Sequence, residues 1–170
     1  MKDGQRMEAV WRERAKRLAQ LPISGAALQD ACPLMVLGIG KERYGVDLPD
    51  VAEVLPVAQA TPIPGALGAI AGVINVHGEI RPVLDLRRVL GIEIAPNGDE
   101  SRVILLRKNG GEMGLQVDTV NQIRWIGSGD VRTASGGAGS SRYIKGTTED
   151  LLMILSTEAL FAELDTGGTT

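Results

Sequence analysis

The sequence predicts a mainly β protein in which two groups of about five short strands follow one another, with helices only at the ends. Glycine accounts for 22 of the 170 residues, against an average share of about 7%, and this excess indicates many tight turns. The runs of β-branched and aliphatic residues are short, and turn signals such as Asn109-Gly110 separate them. Sequential short strands can close into small barrels, which leave no sheet edge exposed.

The first 30 residues differ from the rest in pattern and charge. Arg6 to Gln20 predicts one amphipathic helix, because apolar residues from Met7 to Leu18 recur at helical spacing and Pro22 follows. Residues 1–30 carry a net charge of +2 and the remainder carries −5. We therefore expect an N-terminal helical extension over 1–30 and a separate domain over 31–170. The helix either docks on its own domain or binds a partner or a membrane surface.

The first group of strands is expected over residues of about 33–92. A hairpin crosses Lys41-Glu42, the two prolines of Thr61–Gly65 make that segment a loop, and a second hairpin turns at His77-Gly78. Asp85 and Gly91 are suited to begin and end a short helical turn. The strands are predicted at Leu34–Gly40, Arg43–Leu48, Val51–Val57, Ile70–Val76 and Ile80–Leu84.

The second group of strands is expected over residues of about 100–155. Its clearest hairpin flanks Asn109-Gly110, and Ser128 to Ser141 is rich in glycine and serine, which predicts a mobile loop. Ser156 or Thr157 can cap a C-terminal helix that continues through Leu164, over residues 156–164. The strands are predicted at Arg102–Arg107, Glu112–Val117, Val120–Ile126, Tyr143–Thr147 and Leu151–Leu155.

Composition argues against several classes of partner. The chain has only five aromatic residues and a net charge of −3, which disfavours a nucleic-acid-binding surface built on base stacking and phosphate contacts. The longest apolar stretch, Ala66 to Val76, falls well short of the roughly 20 residues that span a bilayer. The charged first 20 residues lack the apolar centre of a signal peptide. We therefore expect a cytoplasmic protein with no direct membrane insertion.

The sequence offers no arrangement of residues that predicts catalysis. His77 is the only histidine and Cys32 the only cysteine, so neither a zinc site nor a disulfide framework is expected. The glycine-rich segment 136–141 lacks the lysine and the helix start of a phosphate-binding loop. Asp165-Thr166-Gly167 matches a short protease signature but lies in the tail. We expect no enzyme, metal or cofactor, and a surface that other proteins bind.

The segment Gly72–Arg87, G-V-I-N-V-H-G-E-I-R-P-V-L-D-L-R, resembles the CheW-like family pattern G-V-x-N-x-R-G-x-x-x-P-V-x-D-L-R. Further similarities occur at Tyr44–Leu48 with Val51–Val54, at Gly114–Val120 and at Tyr143–Gly146. They cover about Pro33 to Leu164. CheW-like domains are adaptors of bacterial chemosensory arrays, and the resemblance implies two intertwined five-stranded SH3-like barrels.

The resemblance also implies a function and its residues. It implies a non-enzymatic adaptor that couples a methyl-accepting chemoreceptor to a CheA-type histidine kinase, by binding the kinase's own CheW-like regulatory domain. Carried over by position, kinase contacts are implied at Val51, Glu53 and Val54, and receptor contacts at Gly72, Asn75 and His77. The family usually has arginine where this chain has His77, and a neutral imidazole makes a weaker charge-assisted bond than a guanidinium.

Two other functions remain open from the residues alone. A small β-barrel can bind nucleic acid, in which case affinity would fall steeply with salt. A cleft between two barrels can also hold a small ligand or a substrate, which a thermal-shift screen would detect.

Overall fold

The computed structural model describes residues 30–55, 60–66, 68–93, 101–134 and 139–166. Contacts divide the chain into two compact units, Met1–Ala31 and Cys32–Thr170. The helix predicted over Arg6–Gln20 lies outside the described residues.

Eleven strands and two α-helices occur in the described ranges. The strands are β1 (Ala31–Ile39), β2 (Glu42–Asp47), β3 (Val51–Leu55), β4 (Ile70–Val76), β5 (Glu79–Asp85), β6 (Arg102–Lys108), β7 (Gly111–Val117), β8 (Thr119–Gly127), β9 (Val131–Thr133), β10 (Ile144–Thr148) and β11 (Met153–Leu155). The helices are α1 (Leu86–Leu90) and α2 (Thr157–Thr166), and short 3₁₀ segments cover Leu48–Asp50, Ser128–Asp130 and Gly139–Tyr143. None of the helices described is long and apolar enough to cross a membrane.

The strands form two sheets, which confirms the prediction of a mainly β protein with few helices. One sheet has six strands in the order β8-β1-β2-β11-β10-β9, and the other has five in the order β3-β6-β7-β5-β4. Each sheet takes strands from both of the ranges 33–92 and 100–155. Four neighbouring pairs make these connections: β1 with β8, β3 with β6, and the two parallel pairs, β2 with β11 and β5 with β7. A parallel pair needs a long crossover, so distant parts of the chain meet inside each sheet.

The predicted hairpin turns at His77-Gly78 and Asn109-Gly110 are confirmed, whereas the first hairpin turns at Gly40-Lys41, one residue before the predicted Lys41-Glu42, because Ile39 pairs with Glu42. His77 and Gly78 have φ angles of 51° and 90°, and Asn109 and Gly110 have 50° and 81°. Two successive positive φ angles give a turn whose twist matches that of the flanking strands. The turns fix the register, so that Val76 pairs with Glu79 and Lys108 with Gly111.

The predicted helix caps are also confirmed. The backbone N–H of Arg87 donates to Asp85 Oδ1 at 2.9 Å, and Gly91 ends α1 in the left-handed conformation. At α2, the backbone N–H of Ala159 donates to Ser156 Oγ at 3.3 Å. Both helices therefore begin at a side chain that accepts from an otherwise free amide.

The core explains why several strands are apolar without interruption. Met35 and Leu37 of β1 belong to a large buried cluster shared by both sheets, whereas Leu34 and Val36 belong to a small cluster within the six-stranded sheet. The side chains of β6 also alternate between two clusters: Ile104 belongs to the large cluster, and Val103 belongs to a small cluster of the five-stranded sheet. Since successive side chains point to opposite faces, these strands are buried on both sides.

One polar cluster joins parts of the chain that enter different sheets. Asp118, between β7 and β8, accepts from Arg87 Nε at 2.9 Å and from the backbone N–H of Gly40 at 2.7 Å. Burial raises the pKa of Asp118, but the hydrogen bonds from Arg87 and Gly40 outweigh this and hold its pKa below the usual range. Asp118 thus connects the β1–β2 turn to α1.

The prediction of a mobile loop over Ser128–Ser141 was wrong for most of the segment. Residues 128–133 form a 3₁₀ turn and β9, and a second 3₁₀ segment begins at Gly139, while 135–138 lie outside the described residues. Val131 packs against the small cluster of the six-stranded sheet, and β9 pairs with β10. This burial and pairing order a stretch whose composition favours flexibility.

Candidate partner-binding surface

The structure brings two of the predicted kinase and receptor residues into direct contact. His77 Nε2 lies 2.9 Å from Glu53 Oε2, although β3 and β4 stand at opposite ends of the five-stranded order. The backbone of Thr61 also bridges to Val73 of β4, through N–H···O distances of 2.8 and 2.9 Å. The start and the end of this sheet therefore approach each other. We call Glu53, Val54, Asn75, His77 and Ile80 the β3–hairpin surface; none of the five is buried.

A β-bulge in β3 explains how Glu53 reaches His77. Val51 pairs with Leu106 and Glu53 pairs with Leu105, so the register shifts at Ala52. In a regular strand Val51 and Glu53 would face the same side. Here Val51 packs against the shared core, as Leu106 does, whereas Glu53 follows Leu105 toward the small cluster. Bulges often re-aim a side chain at functional sites.

The apolar part of this surface comes from two strands. Val54 of β3 is 36% exposed, and Ile80 of β5, which pairs with Asn75, is also exposed. Val51 is half-buried, and its side chain packs against the core instead of facing solvent. Of the three residues implied in kinase binding, Glu53 and Val54 are therefore the two that are available for direct contact.

Asn75 and Gly72 support the hairpin in different ways. Asn75 Oδ1 accepts from the backbone N–H of Gly78 at 2.9 Å, so the side chain stabilises the turn that presents His77. Gly72 is buried, and a Cβ at this position would lie 2.2 Å from the backbone oxygen of Thr61. Gly72 thus allows Thr61 to pair with β4, and only Asn75 and His77 of the three implied receptor residues are exposed.

A second exposed apolar region, which was not predicted from the sequence, lies on the six-stranded sheet. Ile123 and Trp125 project from the same side of β8, and Leu151 is 75% exposed between β10 and β11. The alternation of Ile123 and Trp125 with polar residues was a readable signal for a half-exposed strand. Leu151 has a φ angle of 62°, an uncommon conformation for a leucine, which sequence alone does not reveal.

Asp150 anchors the turn that carries Leu151. Its carboxylate accepts from Arg124 at 2.5 Å, from Thr148 Oγ1 at 2.7 Å and from Arg43 at 3.2 Å. The hydrogen bonds from Arg124 and then from Thr148 hold the pKa of Asp150 well below its usual range. Arg43 also donates to the backbone oxygen of Asp150 at 2.7 Å, so strands β2 and β8 both hold this turn.

This geometry predicts a loss of stability in acid. Because the pKa of Asp150 is lowered on folding, its contribution is present above the unfolded value of about 3.9 and is lost as the pH falls below it. We expect the melting temperature of the wild type to fall between pH 5 and pH 2. In Asp150→Asn we expect a lower melting temperature at pH 6 and a flatter pH profile. Equal slopes in the two proteins would contradict this assignment.

The part of the chain that the structure describes contains no group of three or more His, Cys, Asp or Glu side chains that could hold a metal ion. The exposed residues of the β3–hairpin surface include one imidazole and one carboxylate, which pair with each other. The arrangement presents apolar side chains beside a polar contact, as protein-binding surfaces do.

Comparison with known proteins gives consistent matches. The model of the CheW-like domain family matches residues 33–165. The chain is 28% identical to chemotaxis protein CheW of Bacillus subtilis over 104 residues, 61% of this chain and 67% of that protein. It is 32% identical to protein PilI of Pseudomonas aeruginosa over 109 residues, 64% of this chain and 61% of that protein. The chain thus spans about three-fifths to two-thirds of these relatives.

A solved structure is similar as well. The crystal structure of the scaffolding protein TtCheW from Thermoanaerobacter tengcongensis superimposes with a TM-score of 0.67 at 29% sequence identity. The similarity covers 74% of this chain and 88% of that chain.

Proposed function

Because this chain belongs to the CheW-like domain family, we propose that it is a chemosensory adaptor. In this role it couples methyl-accepting chemoreceptors to a CheA-type histidine kinase through protein–protein contacts, without enzymatic activity. The relatives named as chemotaxis proteins and the neighbour named as a scaffolding protein support this function.

The observation that carries the proposal is the β3–hairpin surface. It combines the exposed Val54 and Ile80 with the Glu53–His77 contact. A few apolar anchors in such a surface supply most of the binding free energy, each about 1–2 kcal/mol or more when truncated. Glu53 and Val54 are the proposed direct contacts to the kinase regulatory domain, and Val51 supports them from the core side.

The proposed receptor contacts are His77 and Asn75, which the β4–β5 turn presents. Gly72 has an indirect role, since it is buried beneath Thr61 and keeps the hairpin in place. The two proposed binding regions touch at the Glu53–His77 contact, so a receptor and a kinase domain would bind side by side on the five-stranded sheet.

We further propose that each sheet closes into an SH3-like barrel. Two features support this for the five-stranded sheet: the Thr61–Val73 bridge and the contact between Glu53 and His77. Each sheet also encloses a small apolar cluster of its own. In this view residues 31–170 are the adaptor domain and residues 1–30 are a separate extension.

The experiment that tests the function is reconstitution with the native partners. The CheA-type kinase and chemoreceptor-containing membranes from the same organism are mixed with and without this chain, and kinase phosphorylation is measured. We expect receptor control of the kinase only when the chain is present. Unchanged phosphorylation would contradict an adaptor role. If instead the chain binds DNA or RNA with a steep salt dependence, the nucleic-acid alternative is favoured.

A further inference from the structure

The Glu53–His77 contact contains the one histidine of the chain. The side chain of His77 is 77% exposed and that of Glu53 is 41% exposed, so water reaches both groups. The contact joins two separate elements, since Glu53 belongs to β3 and His77 to the β4–β5 turn. It also involves the residue that follows the β-bulge at Ala52, where the pairing of β3 with β6 is irregular. This side-chain contact is therefore an additional restraint on β3.

The strength of the contact depends on whether the imidazole is charged. Imidazole groups in proteins ordinarily change charge between pH 5 and 8, where carboxylates remain negative. A neutral imidazole that carries its proton on Nε2 donates an ordinary hydrogen bond to Glu53, whereas an imidazolium adds an ion pair.

The other groups around the turn are carboxylates, a guanidinium and an amide, which are types that ordinarily do not change charge between pH 5 and 8. On β5, Glu79 pairs with Arg81, which also donates to Glu112 at 2.9 Å. On β4, Asn75 is uncharged and its Oδ1 is occupied by the turn. On β3, Glu53 is the charged residue. His77 supplies the one imidazole among these groups.

We propose that the Glu53–His77 contact makes partner binding at β3 sensitive to pH, with tighter binding in acid. This inference rests on the proposed function, because it assigns a regulation to the same surface. When the imidazole is charged, the ion pair holds β3 against the turn and preorganises Glu53 and Val54 for a partner. When the imidazole is neutral, a weaker hydrogen bond remains. An exposed ion pair supports a change of roughly two- to fivefold in Kd between pH 8 and pH 5.5.

A nuclear magnetic resonance titration tests the coupling without any partner. The imidazole signals of the one histidine report its protonation, and the amide signals of Ala52, Glu53 and Val54 report the state of β3. We expect the β3 amides to shift together with the imidazole in the wild type and to stop following it in Glu53→Gln. If the amide signals of β3 in the wild type do not shift as the imidazole is protonated, the proposal is overturned.

A binding titration tests the consequence for the partner. The probe is the CheW-like regulatory domain of the CheA-type kinase from the same organism, measured at constant ionic strength from pH 5.5 to 8. Two variants serve as controls: His77→Arg keeps a permanent charge, and His77→Asn is uncharged and tolerates a positive φ. A pH dependence of Kd that the wild type and both variants share is caused by groups other than His77, such as those of the probe. We expect an additional two- to fivefold change in the wild type only.

The outcomes separate the two proposals. Wild-type binding that matches the pH dependence of both variants, or that tightens toward pH 8 relative to them, overturns the pH inference and leaves the adaptor function intact. No binding of the wild type at any pH contradicts the kinase contact itself and the pH inference with it.

Discussion

Replacing Val54 by aspartate should weaken binding of the kinase regulatory domain by at least about 30-fold, equal to about 2 kcal/mol. Val54 is 36% exposed at the proposed kinase contact. A partner that covers it would bury a carboxylate with no counter-charge, and such a group resists desolvation. Titration calorimetry with the wild type and Val54→Asp measures the difference. Because the side chain already contacts water, the far-ultraviolet circular dichroism of the variant should be unchanged.

Leu151→Asp provides a matched control for this experiment. Leu151 is the most exposed of the large apolar residues described, and it lies on the other sheet. Its φ angle of 62° suits aspartate better than leucine. We expect the affinity of Leu151→Asp for the regulatory domain to stay within about twofold of the wild-type affinity. If Leu151→Asp loses binding and Val54→Asp retains it, the kinase contact lies on the six-stranded sheet instead.

Substitution of Gly72 should have the largest effect on stability. A Cβ would lie 2.2 Å from the Thr61 oxygen and 2.7 Å from the Thr61 carbonyl carbon. Both are backbone atoms, so the Thr61–Val73 bridge must shift. For Gly72→Ala we expect the free energy of unfolding to fall by about 1–3 kcal/mol, as overpacking typically produces. Gly72→Asp also adds a buried charge, so we expect its free energy of unfolding to fall further. Urea denaturation measures both values.

The appropriate control for Gly72→Ala is Gly129→Ala. Gly129 is exposed, and a Cβ there meets no atom within 4 Å. We expect its free energy of unfolding to stay within about 0.5 kcal/mol of the wild type. A Gly72→Ala protein as stable as Gly129→Ala would show that Thr61 moves aside without loss.

Local signals predicted much of this fold. The dipeptides at His77-Gly78 and Asn109-Gly110 predicted two hairpins, and Asp85 with Gly91 predicted a capped helical turn; all three features are confirmed. These predictions succeeded because a turn or a cap depends on a few adjacent residues. The mobile loop predicted over Ser128–Ser141 was wrong for residues 128–133, because their order comes from the pairing of β9 with β10 and from the packing of Val131.

The site was harder to predict for the same reason. Family similarity pointed to Glu53 and His77 as members of two separate surfaces, and their roles stay a prediction. Their contact depends on the bulge at Ala52 and on the approach of β3 to β4. Neither follows from spacing along the chain. The burial of Gly72 also depends on Thr61, eleven positions earlier.

The position of β11 within its sheet has a consequence for biosynthesis. Met153–Leu155 lies between β2 and β10, so the six-stranded sheet cannot be completed until the last strand has left the ribosome. At a synthesis rate of about 5–20 residues per second, the β1–β2 hairpin emerges several seconds or more before β11, the strand that pairs with β2. A nascent chain arrested before residue 153 should expose the unpaired backbone edge of β2 and be a preferred chaperone client.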